Sequence, residues 1–386
     1  MKTGWEVKSL GDLCEVVAGQ SPEGKFYNPD GEGMAFYQGK KDFGEKYIQA
    51  PTTWTTQTTK IAQASDILMS VRAPVGPINF ASREICIGRG LAAIRSNGKL
   101  DRDFLFYQLL HLQPEIAGSE GAVFASINKS EIAALMISFA PLPEQHRIVA
   151  ILDEAFNGIA TAKANAEKNL QNARALFESH LQSVFTERGE GWQQKTLEEI
   201  STAFGRGKSR HRPRNAPHLY GGPYPFVQTG DIRNADHVIT EYSQTYSEAG
   251  LTQSKLWPKG TICITIAANI AETAILGFDA CFPDSVIGVV TNPNEADVDF
   301  IEYLLQSFKA RLQLLGKGSA QANINMGTFE HERFPFPPVT DQKQVVTKLD
   351  TLATETRRLE SLYQQKLAAL GDLKKSLLHQ AFTGEL

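Results

Sequence analysis

Residues 141–156 read PLPEQHRIVAILDEAF, and residues 338–353 read PVTDQKQVVTKLDTLA. These stretches decide the fold, because they are two versions of one segment. Gln145 pairs with Gln342, Leu152 with Leu349, Asp153 with Asp350 and, far downstream, Phe185 with Phe382, always at an offset of 197 residues (342 − 145). No gap interrupts the match. Each copy has a proline-bearing lead-in followed by apolar residues three or four apart, the spacing of a helix face. In the first copy the stripe is Ile148, Leu152, Ala155, Ile159, Ala162, Ala166, Leu170, Ala173, Phe177 and Val184. In the second it is Val345, Leu349, Leu352, Leu359, Tyr363, Leu367, Leu370 and Ala381.

A helix of roughly 40 residues is about 60 Å long, more than a compact domain needs. Past the lead-in neither copy contains proline, and each has a single internal glycine, Gly158 or Gly371. A seam spacing near 3.5 predicts a coiled coil. The steps 162→166→170 and 359→363→367 are stutters that locally unwind a supercoil. One stripe is rich in alanine and the other in leucine, which suits close packing of the two helices on each other.

Working outward, the duplication covers the rest of the chain. GWEVKSLGDL from Gly4 matches GWQQKTLEEI from Gly191, and FYQGKKDFG from Phe36 matches FVQTGDIRN from Phe226. DILMSVRAPVG from Asp66 matches TICITIAANIA from Thr261, and GAVFASIN from Gly121 matches GSAQANIN from Gly318. The expected organisation is a first module over 1–140, a long helix over 141–187, a second module over 188–337 and a second long helix over 338–386. Short β-branched runs (67–71, 262–266) predict buried strands, and 103–111 and 299–315 carry helical spacing. The predicted fold class is α+β: two similar modules joined by two long antiparallel helices in a coiled coil, with pseudo-two-fold symmetry.

Composition narrows the functions. Of 386 residues 42% are hydrophobic, enough for real cores, and no apolar run or leader-like start predicts a membrane span or a signal peptide. Cys14, Cys86, Cys263 and Cys281 lie far apart with no CxxC pair, which argues against zinc or a disulfide framework and for buried thiols in a reducing cytoplasm. Cys86 and Cys281 occupy matching places in the two halves. The net charge of −4 means that any nucleic-acid role rests on local basic patches or on partner proteins.

Enzyme motifs fail one by one. Thr202–Ser209 (TAFGRGKS) ends like a P-loop but has Thr202 where the first glycine belongs. Asn28-Pro29-Asp30 and Asn292-Pro293-Asn294 lack the second proline and the aromatic of an amino-methyltransferase motif, and read as turns. His331-Glu332 does not continue to HExxH. No catalytic or metal-binding residues are expected.

The positive signal lies in polar loops. Residues 205–214 read GRGKSRHRPR and place Arg206, Lys208, Arg210, His211, Arg212 and Arg214 on a non-helical segment without an acid. Guanidinium groups there can contact phosphate or pair bidentately with guanine. The matching loop of the first module, GQSPEGKFYNPDGEG from Gly19, offers Gln20, Ser21, Tyr27 and Asn28. Gln38, Lys40 and Lys41 sit where Gln228 and Thr229 sit in the second module, at equivalent strand ends, suited to base or phosphate contacts or, alternatively, to structural turn caps. Ser126, Asn128 and Lys129 pair with Asn323 and Asn325 as a third site, whose small polar residues suit backbone phosphate contacts. Arg72 and Arg89 flank apolar strands of the first module, where the second has Ala267 and Asp284. Constant strands with changed tips read as one scaffold for two targets.

The PLPEQHRIV lead-in, the doubled module–helix layout and the ending LLHQAFTGEL resemble the specificity (S) subunits of type I restriction–modification systems, over essentially the whole chain. GQSPEGKFYNPDGEGMAFYQGKKDFG and RGKSRHRPR…LYGGPYPFVQTGDI resemble recurrent target-recognition domains. The resemblance implies a non-catalytic, cytoplasmic subunit whose two modules each read half of a split site in double-stranded DNA. It implies that the paired helices space the modules and dock two methyltransferase (M) subunits, and that two motor–nuclease (R) subunits complete the complex. S-adenosylmethionine then belongs to the methyltransferase, ATP and Mg to the motor–nuclease, and no cofactor to this chain. A duplicated scaffold that binds proteins without DNA is the alternative.

Overall fold

In a computed structural model the chain forms two compact units, residues 1–167 with 364–386 and residues 168–363, each combining one module with part of both long helices. The structure describes residues 4–117, 126–187, 189–211, 213–267, 269–317 and 324–386.

In the first unit a four-stranded antiparallel sheet runs in the order Cys14–Ala18, Leu91–Ser96, Ile67–Ser70, Ile78–Phe80. The run ILMS at 67–70 is apolar without alternation because both of its faces are covered. Ile67 and Met69 enter the core shared with the helix Arg102–Ala117, whereas Leu68 enters a separate core under the outer strands. That outer layer pairs Met34–Tyr37 with Ile85–Ile87 in parallel, setting Phe36 opposite Cys86. The bracing helix outruns its expected end at His111, continuing past Pro114 to Ala117. Its last turn is kept by Ile116, which is buried in the core and offsets the hydrogen bond that proline cannot donate.

The second unit repeats this plan. Its inner sheet orders Ser201–Arg206, Val286–Thr291, Ile262–Thr265, Thr273–Leu276 and Val238–Ile239. Ile262 and Ile264 face the core of the helix Val298–Lys317, and Cys263 faces the outer core. The parallel pair recurs as Phe226 opposite Cys281. The two cysteines matched by sequence therefore occupy the same rung of the same ladder, buried and with free thiols, as all four cysteines are.

The repeated lead-ins open two helices of 45 residues, Leu142–Thr186 and Val339–Thr383. The repeated glutamine explains itself in the structure. Gln145 is fully buried; its Oε1 accepts from the Asp101 backbone N–H at 2.7 Å, and its Nε2 donates to the Ala140 carbonyl at 2.7 Å and the Lys99 carbonyl at 3.2 Å. Gln342 does the same with Asp297 (2.8 Å), Pro337 (2.9 Å) and Glu295 (3.3 Å). One carboxamide thus joins the lead-in, the bracing-helix cap and the long helix. The repeated aspartates have a shared task too: Asp153 accepts from the Tyr107 hydroxyl, and Asp350 from Tyr303 at 2.7 Å.

Within each unit the long helices run antiparallel. In the first, Arg147 donates to the Leu386 carbonyl, and Lys374 lies over the Phe156 ring. In the second, Arg174 pairs with Glu360 at 2.9 Å. On the second helix the predicted stripe faces inward, with Leu349 and Ala381 buried and Val345, Leu352, Tyr363, Leu367 and Leu370 half-buried; Leu359 is exposed, and Ala353 and Thr356, outside the stripe, are buried. In the first helix Leu181 and Phe185 are buried beside the predicted Val184, which packs on the same core.

Candidate nucleic-acid interface

In the first module the ends of four strands converge. Gly19 ends the strand Cys14–Ala18 so close to its neighbours that a Cβ there would stand 2.2 Å from the Gly88 carbonyl oxygen. The backbone then carries Gln20 past Ile87, donating to its carbonyl at 2.9 Å, and Ser21 Oγ accepts from the Arg89 N–H at 3.2 Å. Around this crossing a cleft of about 240 Å³ is lined by Ser21, Gln38, Gly39, Lys40, Ser70, Arg72, Ala73, Arg89 and Gly90. A second hollow of about 380 Å³ shares Gln38, Gly39 and Lys40 and adds Tyr27, Phe36, Lys41, Asp42 and Thr53. Seven residues singled out by sequence thus meet on one face: Ser21, Tyr27, Gln38, Lys40, Lys41, Arg72 and Arg89. Gln20 stands exposed beside them. Among the described residues no carboxylate pairs with Lys40, Lys41, Arg72 or Arg89, so the face carries four uncompensated cations.

Other candidates have structural tasks. Asn28 folds its own turn, its Oδ1 accepting from the Asp30 and Glu32 N–H groups and its Nδ2 donating to the Glu32 carbonyl. Tyr27 stacks on Phe36 at 4.8 Å and donates to the Pro22 carbonyl, leaving a ring edge in the hollow. Asn128 forms a capping box with Glu131 on the helix Lys129–Ala133, and Asn325 forms one with Thr328 on Met326–Glu330. Both asparagines therefore cap short helices, a task that sequence reading had not assigned to them. Lys129 remains exposed at the first turn of its helix, close in sequence to Ser126, which bridges to Arg72.

In the second module Gly207 repeats the close crossing of Gly19, with a Cβ there only 2.3 Å from the Phe282 carbonyl oxygen. The basic loop beyond it is tied down. Arg206 Nε donates to the Asp284 carbonyl at 2.8 Å, and Arg214 Nη2 to the Asp284 carboxylate at 2.8 Å. Gln253 Oε1 accepts from the Arg210 and His211 N–H groups at 2.6 and 3.1 Å. Lys208 and Arg210 are exposed, while the His211 ring meets His218 edge-on at 5.0 Å. Gln228 stands at the N-cap of the helix Thr229–Asn234, where Asp231 accepts from its N–H. Arg212 and Asn323 lie outside the described residues.

Asp284 holds the place that Arg89 holds in the first module. Sequence reading noted it as a departure and missed its task, because a bridge over 70 residues of chain leaves no local pattern. Among the described residues no group of three or more His, Cys, Asp or Glu side chains could hold a metal ion. No helix among them is long and apolar enough to cross a membrane.

The family described as type I restriction modification DNA specificity domain matches the chain twice, over residues 2–171 and 189–368. The chain belongs to this family. Each match takes in one half of the internal repeat, a module with the first part of the long helix that follows it. The putative type I restriction enzyme MjaX specificity subunit of Methanocaldococcus jannaschii is 40% identical over 174 residues, 44% of this chain and 40% of that protein. The chain's match spans less than half the length of the first two curated relatives, 40% and 44%. A chain from a type I R-M system solved for its complex assembly and conformational transition superposes with a TM-score of 0.84 at 18% identity, covering 100% of this chain and 99% of its own. The HsdS subunit from Thermoanaerobacter tengcongensis gives 0.65 at 18% identity, over 100% and 98%. At that identity the likeness concerns the fold.

Proposed function

We propose that this chain is the DNA sequence-specificity subunit of a type I restriction–modification complex. Each module reads one half of a bipartite site in double-stranded DNA, and the long helices set the gap and dock two methyltransferase and, through them, two motor–nuclease subunits. The chain adds no catalytic group and no cofactor. S-adenosylmethionine acts in the methyltransferase, ATP and Mg in the motor–nuclease, and the assembly works in the cytoplasm on chromosomal and incoming DNA.

The observation that carries this reading is the pairing of one backbone with two sets of tips. Gly19 and Gly207 make the same crossing, yet the residue facing it is Arg89 in one module and Asp284 in the other. Phosphate contacts set register while side chains at such tips read base edges. Leu176 and Leu362, each 55% exposed on the long helices within the second unit, offer apolar surface for a docking partner.

The test is methylation profiling of DNA from cells making this chain with its cognate methyltransferase. The expected result is a split motif, two short half-sites around a fixed gap. A stable complex that binds its partners with no DNA dependence would return the chain to a protein-binding scaffold. Removing seven residues from each long helix shortens it by about 10 Å, and should close the gap by about three base pairs at ~3.4 Å each with both half-sites unchanged.

A further inference from the structure

The second module presents a cation that no sequence motif marks. Lys255 precedes the strand Leu256–Trp257, and its Nζ stands 3.4 Å from the centroid of the Trp257 ring. Trp257 is fully buried and stacks on Phe282 with centroids 5.1 Å apart, so the platform under the lysine is fixed by the core. The two residues before Lys255 fasten the basic loop: Gln253 takes the Arg210 and His211 N–H groups, and Ser254 Oγ donates to the Lys208 carbonyl at 2.9 Å. One tripeptide thus carries a lysine and holds down the segment that carries Lys208 and Arg210.

These three cations lack a counter-charge. Among the described residues no carboxylate pairs with Lys208, Arg210 or Lys255. Burial, and then the charge of Lys208, lower the pKa of Lys255, so the two ammonium groups face common ground with nothing to relieve them. Such an arrangement is completed by an anion from outside. An ammonium held over an aromatic face is a point charge without the planar fork that reads guanine, which suits a phosphate better than a base edge.

We propose that Lys255, Lys208 and Arg210 form a clamp for a DNA backbone phosphate beside the half-site read by the second module, with Gln253 and Ser254 as its positioning residues. The proposal rests on the reading of that module as a DNA-contacting domain.

The test uses the complex of the full chain with its methyltransferase and a duplex carrying the methylated site, with affinity measured across a salt series. Lys255→Met keeps an aliphatic cover on Trp257 and removes the charge; Lys255→Arg keeps the charge. The expected result for Lys255→Met is about a ten-fold loss of affinity, a salt slope shallower by about 1 and an unchanged methylated motif. Lys255→Arg should retain the wild-type slope. If Lys255→Met melts earlier than wild type, Lys208→Met, at an exposed position, carries the same expectation. An unchanged slope in both methionine variants overturns the clamp and leaves the module's reading intact. A changed base preference in the second half-site also overturns it, by making Lys255 a base reader. A wild-type complex that binds DNA without salt dependence overturns the underlying reading itself.

Discussion

The two modules differ least where they join the long helices and most where their strands end. At the junction, Gln145 and Gln342 make the same hydrogen bonds to the same backbone groups, and Tyr107–Asp153 recurs as Tyr303–Asp350. At the tips the first module leaves Lys40, Lys41, Arg72 and Arg89 without carboxylates, whereas the second ties Arg206 and Arg214 to Asp284. The difference teaches that the fold fixes the mounting of each reader and leaves its chemistry free.

An intermediate case lies between the two extremes. Lys46 of the first module meets Asp103 at 2.9 Å and Asp153 at 3.2 Å; His237 of the second meets Asp299 at 3.0 Å and Glu302 at 2.7 Å. Both cations brace the bracing helix against its surroundings, and the acids Asp103 and Asp299 are repeat partners. Burial alone pushes His237 down, but hydrogen bonds and charge from Asp299 and Glu302 outweigh it and raise its pKa to about 10. For Lys46 burial also opposes and the acids also win, raising its pKa above the ordinary lysine value.

The comparison breaks most severely at the shared junction. Gln145→Ala leaves the Asp101 N–H and the Ala140 carbonyl buried without partners, and should cost the first unit about 3 kcal/mol. Gln342→Ala should cost the second unit the same within ~1 kcal/mol, given the context dependence of such losses. Denaturant unfolding followed by hydrogen exchange in each unit checks both. Unequal costs would show that the junctions are alike in geometry only.

At the tips, Arg72→Ala with Arg89→Ala should weaken DNA binding about 100-fold, at 1–3 kcal/mol for each lost contact. The loss should fall on the half-site of the first module and spare complex formation. Methylation profiling beside size-exclusion chromatography separates the two.

The bracing cations predict opposite responses to alkali. His237 has a raised pKa, so its stabilisation is complete below the unfolded value near 6.5 and is lost as pH rises towards about 10. Lys46, raised above 10.5, keeps its stabilisation across that window. The second unit should therefore lose stability between pH 7 and pH 10 while the first does not, and His237→Asn should remove the difference. Equal losses in hydrogen-exchange protection would sink the assignment. The smallest effect is expected of Asp284→Ala. Arg214 and Asp284 are partly exposed, and the pair contributes about 0.5 kcal/mol. Binding at the second half-site should fall two- to three-fold with the motif unchanged.

Much of this architecture was legible in the sequence because repetition stands in for tertiary information. Two copies of a glutamine or a cysteine at matched places mark a shared environment, as Phe36–Cys86 and Phe226–Cys281 show. The inward seam of the second long helix was legible in its leucines but not in Ala353 and Thr356, because a small or polar residue on an apolar face is chosen by packing and not marked by periodicity. The tips of the first module were legible as individual residues, since strand ends and glycine mark loops. Their convergence was not, because Ser21, Gln38, Arg72 and Arg89 approach from four strands. Asn28, Asn128 and Asn325 look the same in a sequence whether they face a ligand or cap their own turns. Lys255 had one local sign, its place two residues before Trp257 on an extended segment.

Each inner sheet also acts as a partition. Ile67 and Met69 belong to the core that holds the helices, Leu68 to the core beneath the tips, and Ile262, Ile264 and Cys263 divide in the same way. Volume changes on the tip side fall in a cluster separate from the one that packs against the helices. Drift and repacking of a tip can therefore proceed in a core set apart from its mount, which gives this protein a partitioned place in which to evolve.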